Sequence, residues 1–424
     1  MHPSTRSGYR PTRIPATVDA MALVDPVTVA ADSRPTTGLG ALGPNWFATV
    51  MGTGIVATAA VGLPHQVAGQ RGFALALWAL AAVLLVVLTC ATARQWLRHP
   101  ATARAHAADP VMSQFYGAPP MALLTVGAGT LLVGKDVLGL PLALGVDWVL
   151  WTAGTVTGLV CAATVPYLAF TRHHYAPDAA FGGWLMPVVP PMVSATTGAL
   201  LVPYVGPGQA RETLLALCYA LFGLSLFASL IVIALIWGRL AQHKIGAAAA
   251  VPTLWIVLGP LGQSVTAAGA MGIAAQVTLP APYADGAASL ALFFGLAAFG
   301  FAMLWLTIAT SVTVRTARQG LPFTLTWWSF TFPVGTLVTG ANALAERTGL
   351  DVLSWTAVAL YVVLLAAWVT VASRTTSGVL ARRAAPPAGP VVTASARPSR
   401  PGRPSARCPW PRRLRGWPSP SRSR

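Results

Sequence analysis

At five places in this chain, small polar side chains stand beside prolines or glycines inside apolar stretches. The sets are Gly52-Thr53-Gly54, then Pro119-Pro120 with Thr125, then Pro190-Pro191 with Ser194, Thr196 and Thr197. Gly259-Pro260 follow with Gln263, Ser264 and Thr266, and Thr331 and Pro333 with Thr336 and Thr339. A proline inside a helix deletes one backbone hydrogen bond and frees a carbonyl. In lipid that break is tolerated where it is buried in protein or lines a wet cavity. Each break begins a half-helix whose N-terminal end carries partial positive charge. Converging ends of this kind attract an anion without a fixed cation that would hold it too tightly. The expected chemistry is passage of small inorganic or organic anions along neutral hydroxyls and one amide. Taken singly, each Ser or Thr more often bonds its own helix backbone, so the expectation belongs to the set.

The elements that must position these groups are legible in a repeat. Each set follows an aromatic mark: Trp46/Phe47, Phe115/Tyr116, Trp184, Trp255 and Trp327/Trp328. The event recurs about every seventy residues, which predicts five similar units and a ring of five broken helices around a path. Ten apolar stretches are long enough to cross a hydrocarbon layer of about 30 Å. They run over 44–63, 73–95, 119–138, 148–170, 183–205, 213–238, 253–275, 287–312, 323–345 and 353–374. The odd stretches carry the breaks; the even ones are smoother, with Pro166 the exception. The fold class expected is all-α integral membrane: ten transmembrane helices as five hairpins, odd helices inside and even helices outside, around a central pore.

Composition agrees. Apolar residues make up 55% of the chain and charged residues only 9%, which excludes an ordinary soluble domain. The net charge of +17 sits mostly outside the apolar stretches, with twelve arginines from Arg374 onward. One set of loops carries Arg94, Arg98, Arg104, Arg172, Arg239, Lys244, Arg315 and Arg318. The alternate set carries four basic residues against six acids, Asp147 among them. The positive-inside rule then places both termini in the cytoplasm. Lipid contact and topology account for the charge better than nucleic-acid binding does. Residues 1–40 and 377–424, rich in Pro, Ser, Ala and Arg, are expected to be disordered cytoplasmic tails flanking a membrane domain over 41–376. Cys90, Cys161, Cys218 and Cys408 show no metal or redox spacing, so no metal and no cofactor are expected.

No Asp, Glu, Lys or Arg lies in the middle of any stretch as bounded above, which argues against a carboxylate-driven mechanism. The ninth stretch is the densest: Phe323-Thr-Leu-Thr-Trp327-Trp328-Ser-Phe330-Thr-Phe332-Pro333. A ring just before a pore-facing proline can plug a narrow path and swing aside. Phe330 or Phe332 could equally pack against an outer helix. The histidines His99, His106, His173 and His174 lie on different loops with no helical His spacing, which leaves a membrane-embedded metalloenzyme a remote alternative. An enzyme is not expected.

The segment Pro44-Asn45-Trp46-Phe47-Ala-Thr-Val-Met51-Gly52-Thr53-Gly54 resembles the opening signature of the tellurite-resistance/dicarboxylate transporter family. That family includes bacterial tellurite-resistance proteins, yeast malic acid transporters, fungal sulfite efflux pumps and plant slow anion channels. Trp184-Leu-Met-Pro187-Val-Val-Pro190-Pro191 and Trp255-Ile-Val-Leu-Gly259-Pro260-Leu-Gly262-Gln263-Ser264 resemble its fifth and seventh helices. Trp327-Trp328-Ser-Phe330-Thr-Phe332-Pro333 resembles its ninth. The resemblance covers roughly 41–376. It implies pseudo-fivefold symmetry, a central pore in each subunit of a plasma-membrane homotrimer, and a pore-occluding phenylalanine, which by motif position is Phe332; Phe301 is rejected because it lies on an even helix. The longer form of the ninth-helix motif favours a malate-like C4-dicarboxylate or sulfite as cargo. A proton-coupled dicarboxylate, sulfite or tellurite exporter of the same fold is the alternative.

Overall fold

The computed structural model of the protein describes residues 42–384. The expected tails, 1–40 and from 385 on, lie outside the described residues. The described residues up to Ser377 form one compact unit, and every regular element among them is helical. An apolar chain in lipid has to satisfy its backbone internally, and helices do so within one segment.

In chain order the α-helices are α1 (Ala48–Val61), α2 (Gln70–Arg98), α3 (Pro100–Ala108), α4 (Ala118–Gly129), α5 (Lys135–Leu138) and α6 (Leu140–Thr171). There follow α7 (Pro190–Leu201), α8 (Gln209–His243), α9 (Leu258–Gln276), α10 (Tyr283–Gln319), α11 (Phe332–Thr348) and α12 (Asp351–Ala384). Among the described residues, seven helical segments are long and apolar enough to cross a membrane. Five of these are α2, α6, α8, α10 and α12. The other two are composite. Over Met112–Leu138 a 3-10 turn leads into α4, a π turn at Thr130–Gly134 and α5; over Ala248–Gln276 a ten-residue 3-10 segment leads into α9.

The stretches 44–63, 183–205 and 323–345 fall short of a crossing as single helices. Their α-helical parts, α1, α7 and α11, hold 14, 12 and 17 residues. Their leading parts are 3-10 turns instead. Burial sorts the segments further. The most apolar windows of the five long helices are only 22–28% buried, against 67% for Met112–Leu138 and 83% for Ala248–Gln276. Broken segments are inside, smooth ones face outward. Contacts join α1 to α4, α4 to α7, α7 to α9, α9 to α11 and α11 back to α1.

Two boundaries differ from the sequence reading. The helix α12 continues to Ala384, so residues 377–384, expected to be disordered, are helical. More consequentially, α6 begins at Leu140 rather than 148 and encloses Asp147, which is 1% exposed. The sequence reading placed Asp147 in the loop before the fourth span; it lies instead inside the first third of the helix. The apolar run Leu140–Val146 ahead of Asp147 extends the helix, where the sequence reading had stopped the span at the charge.

Candidate functional site: a cavity where five helix breaks meet

Every aromatic mark of the repeat lies in a 3-10 turn that leads into an α-helix. Trp46 and Phe47 lie in Pro44–Phe47 before α1, and Phe115 and Tyr116 in Met112–Gly117 before α4. Trp184 lies in Gly182–Leu185 before α7, Trp255 in Ala248–Val257 before α9, and Trp327 and Trp328 in Leu325–Phe330 before α11. A 3-10 turn is tighter than an α-turn, so the axis changes pitch at the junction. The prolines then fall in the first α-turn, where a missing N–H is least harmful. Pro119 and Pro120 sit there in α4, Pro190 and Pro191 open α7, Pro260 is in the first turn of α9, and Pro333 is the second residue of α11.

The first unit departs from this pattern. Gly52, Thr53 and Gly54 are interior to α1 and do not break it. Their smallness serves close packing: a Cβ at Gly52 would collide with Thr331 Oγ1, and one at Gly54 would lie 2.7 Å from Thr125 Cγ2. Adjoining units approach just as closely elsewhere. A Cβ at Gly117 would strike the Met186 carbonyl, and one at Gly182 the Thr253 carbonyl.

Outer helices complete the backbone near the breaks. The Cys161 thiol donates to the Tyr116 carbonyl at 3.2 Å, and Tyr116 stands one turn before Pro120, which has no N–H to offer it. Ser225 Oγ donates to the Val188 carbonyl (2.7 Å), Trp305 Nε1 to that of Leu254 (2.9 Å) and Tyr361 Oη to that of Val56 (3.3 Å). The broken helices thus hold their shape through side chains of α6, α8, α10 and α12.

At the junctions lies a cavity of about 30 Å³. Its walls come from all five units: Ala48 and Met51; Phe115 and Met121; Met186 and Val189; Ile256, Gly259 and Pro260; Trp328, Ser329, Phe332 and Pro333. No charged side chain lines it, and Ser329 supplies its one side-chain hydroxyl. Phe332, 4% exposed, is packed into this wall. The backbone offers few free donors: the prolines have no N–H, and the Ala48 N–H is already bonded to the Asn45 and Trp46 carbonyls. What the helix ends contribute is a dipole field on a space with little to grip an ion.

Of the candidate path residues, Pro260, Phe332 and Pro333 line this cavity. Others are placed differently. Thr53 Oγ1 accepts from Trp368 Nε1 of α12 at 3.1 Å, while Thr125 Oγ1 donates to the Met121 carbonyl at 2.7 Å. Pro120 and Pro190 face α6, where a Cβ at Gly158 would lie 3.6 and 2.9 Å from their Cβ atoms. Pro119 is half-buried and Pro191 buried. Gln263 Nε2 donates to Thr196 Oγ1 (2.7 Å), tying α9 to α7. Ser264 and Thr331 bond the Leu261 and Trp328 carbonyls, and Thr336 that of Pro333. Ser194 is fully buried and its hydroxyl has no partner among the described residues.

The sequence reading missed the apolar wall. Met51, Met121 and Met186 lie one after another at nearly the repeat spacing, and that recurrence was the available signal. Flexible thioethers suit an irregular wall.

The profile of the voltage-dependent anion channel family, SLAC1, matches residues 41–376, the whole stretch that builds the cavity and its sheath. The chain belongs to that family. The assignment agrees with the transporter resemblance of the helix signatures, since the tellurite-resistance/dicarboxylate transporters fall in the same group. Among curated SLAC1-family relatives, a sulfite efflux pump of Arthroderma otae is 26% identical over 336 residues, covering 77% of this chain and 88% of the pump. A sulfite efflux pump of Trichophyton rubrum is also 26% identical, covering 72% of this chain and 82% of its own length. An uncharacterised transporter of Methanocaldococcus jannaschii is 25% identical, covering 79% and 93% respectively. The protein is thus a multi-pass membrane anion transporter of the SLAC1 family.

Proposed function

We propose that this protein conducts sulfite or a comparably small anion through a pore at the centre of ten spans, arranged as five hairpins with pseudo-fivefold symmetry. The observation that carries the reading is the single cavity walled by all five break junctions, with Phe332 in the wall and no charge in it. The cavity is small, about 30 Å³, which makes it the narrow point of the path in this reading. Phe332 is the gate, and its ring has to leave the wall before an ion passes. The sulfite efflux pumps among the relatives favour sulfite over a malate-like dicarboxylate, and a narrow apolar constriction favours the smaller cargo. Gln263, through Thr196, and Thr336, through the Leu258 carbonyl, fix inner helices against one another, as does the close approach of Gly52 to Thr331; Thr53 ties α1 to α12, and Thr125, Ser194 and Ser264 are buried within the inner helices.

The charge of the loops supports cytoplasmic termini in a plasma-membrane protein. Outward-facing apolar side chains such as Leu80, Val83, Phe227 and Phe293 suit lipid and the contacts of a homotrimer. The test is flux from vesicles holding the purified protein, at clamped voltage with the pH gradient collapsed, comparing sulfite, nitrate, chloride and malate. Sulfite flux well above empty vesicles is expected. No flux of any of the four would refute the reading. Flux that vanishes with the pH gradient would instead support a proton-coupled exporter, which the enclosed carboxyl of Asp147 brings into view.

A further inference from the structure

Asp147 has no role in the cavity. It lies seven residues into α6, about 10 Å along the helix axis, with apolar residues on both sides in sequence. Its side chain is 1% exposed, and neither carboxyl oxygen has a hydrogen-bond partner among the described residues. One oxygen stands 2.5 Å from where a Cβ of Gly127 would be, so the carboxyl is pressed against the backbone of α4. Gly127 is on one of the five break-bearing helices, whose first turn supplies Met121 to the cavity. Three residues beyond Gly127 the chain opens into the π turn Thr130–Gly134, a local widening that recurs at functional sites.

Among the described residues no basic group pairs with the carboxyl. Of the elements packed on α6, α4, α7 and the π turn carry no ionisable side chain. The turn Met112–Gly117 contributes only Tyr116, at the far end beside Cys161. The short α5 carries Lys135 and Asp136, and Asp136 is paired with Arg71. A bare carboxylate inside an apolar bundle is strongly disfavoured, and such groups mark proton relays when they occur. A neutral carboxylic acid keeps one O–H donor and fits the space beside Gly127.

We propose that Asp147 is a proton-binding site that locks α6 to α4, so that loss of its proton to water loosens this contact and shifts the helix that carries Met121. Anion passage through the central path is thereby linked to pH; that linkage rests on the function proposed above, while the proton site stands apart from it.

Two measurements on the reconstituted full chain test this. The first is an infrared pH titration of wild type and Asp147→Asn. A protonated-carboxyl band that persists at neutral pH in the wild type and is missing from the variant is expected. Absence of that band, or its survival in the variant, overturns the proposal whatever the protein transports. The second is nitrate flux at clamped voltage, nitrate being an anion that does not itself titrate. Wild-type flux should change by about threefold or more between about pH 6 and about pH 9, well above the ordinary carboxylate range, while Asp147→Asn should hold the acidic wild-type value throughout. Equal pH dependence in both overturns the linkage, whereas no nitrate flux in either, with the band present, counts against the anion pathway alone. If the Asn variant does not assemble, Gly127→Ala puts a methyl against the carboxyl and should displace the band, and an unmoved band again overturns the assignment.

Discussion

Replacing Phe332 with alanine is the sharpest test of the constriction. The ring is 4% exposed and forms part of a wall shared with Trp328, Met51 and Ile256. For an ion to pass, that ring must give up most of its buried contacts and face a wet path. Full burial of a phenylalanine side chain is worth roughly 1.5–3 kcal/mol, so the closed rotamer is favoured by about that much. Removing the ring removes the bias, which predicts a rise in anion flux of about tenfold to about a hundredfold. Phe332→Leu, which keeps an apolar body of smaller reach, should fall between. The assay is single-channel or vesicle flux at fixed voltage, with size-exclusion profiles to establish that the variants assemble as the wild type does. An unchanged flux in a well-assembled alanine variant would refute the gate and make Phe332 an ordinary wall residue. A reduced flux would refute it as well.

Three further outcomes follow from the packing. Trp305→Phe removes the indole N–H from the Leu254 carbonyl and leaves a cavity where the larger ring was, and should cost at least about 1–3 kcal/mol in thermal unfolding followed in detergent. Ser225→Ala should destabilise on the same scale, because it abandons the Val188 carbonyl, whereas Ser229→Ala should be near neutral because Ser229 Oγ has no partner among the described residues. Gly117→Ala drives a methyl into the Met186 carbonyl and should abolish monodisperse protein, while Gly72→Ala, with open space around it, should leave yield unchanged.

Much of this architecture is written in prolines and aromatics. They fix where helices break, because a lost N–H and a change of pitch leave few other places for such residues. The inward placement of the broken segments was legible for the same reason, since a freed carbonyl has to be kept from lipid. Facing was not legible. The inner helices are apolar on every side, so no stripe distinguishes the wall of a path from a helix contact. Thr53 and Pro190 therefore read as path residues although one meets Trp368 and the other faces Gly158. The glycines of α1 read as a break because glycine signals both flexibility and close approach, and only the neighbours decide which. Asp147 was counted in a loop because a charge looks like the end of a span unless the apolar run on its far side is counted.

The donors that complete the broken helices also impose an order in time. Tyr116 waits 45 residues of synthesis for Cys161, Val188 waits 37 for Ser225, and Leu254 waits 51 for Trp305. The first helix waits longest, since Val56 and Thr53 receive Tyr361 and Trp368 only 305 and 315 residues later. Until α12 emerges from the ribosome, α1 has an unsheathed side, and the nascent chain has to be kept from lipid or shielded by a chaperone. A ribosome stalled before α12 should therefore yield a bundle whose first helix cross-links to lipid, and that side is covered last by the helix that was made last.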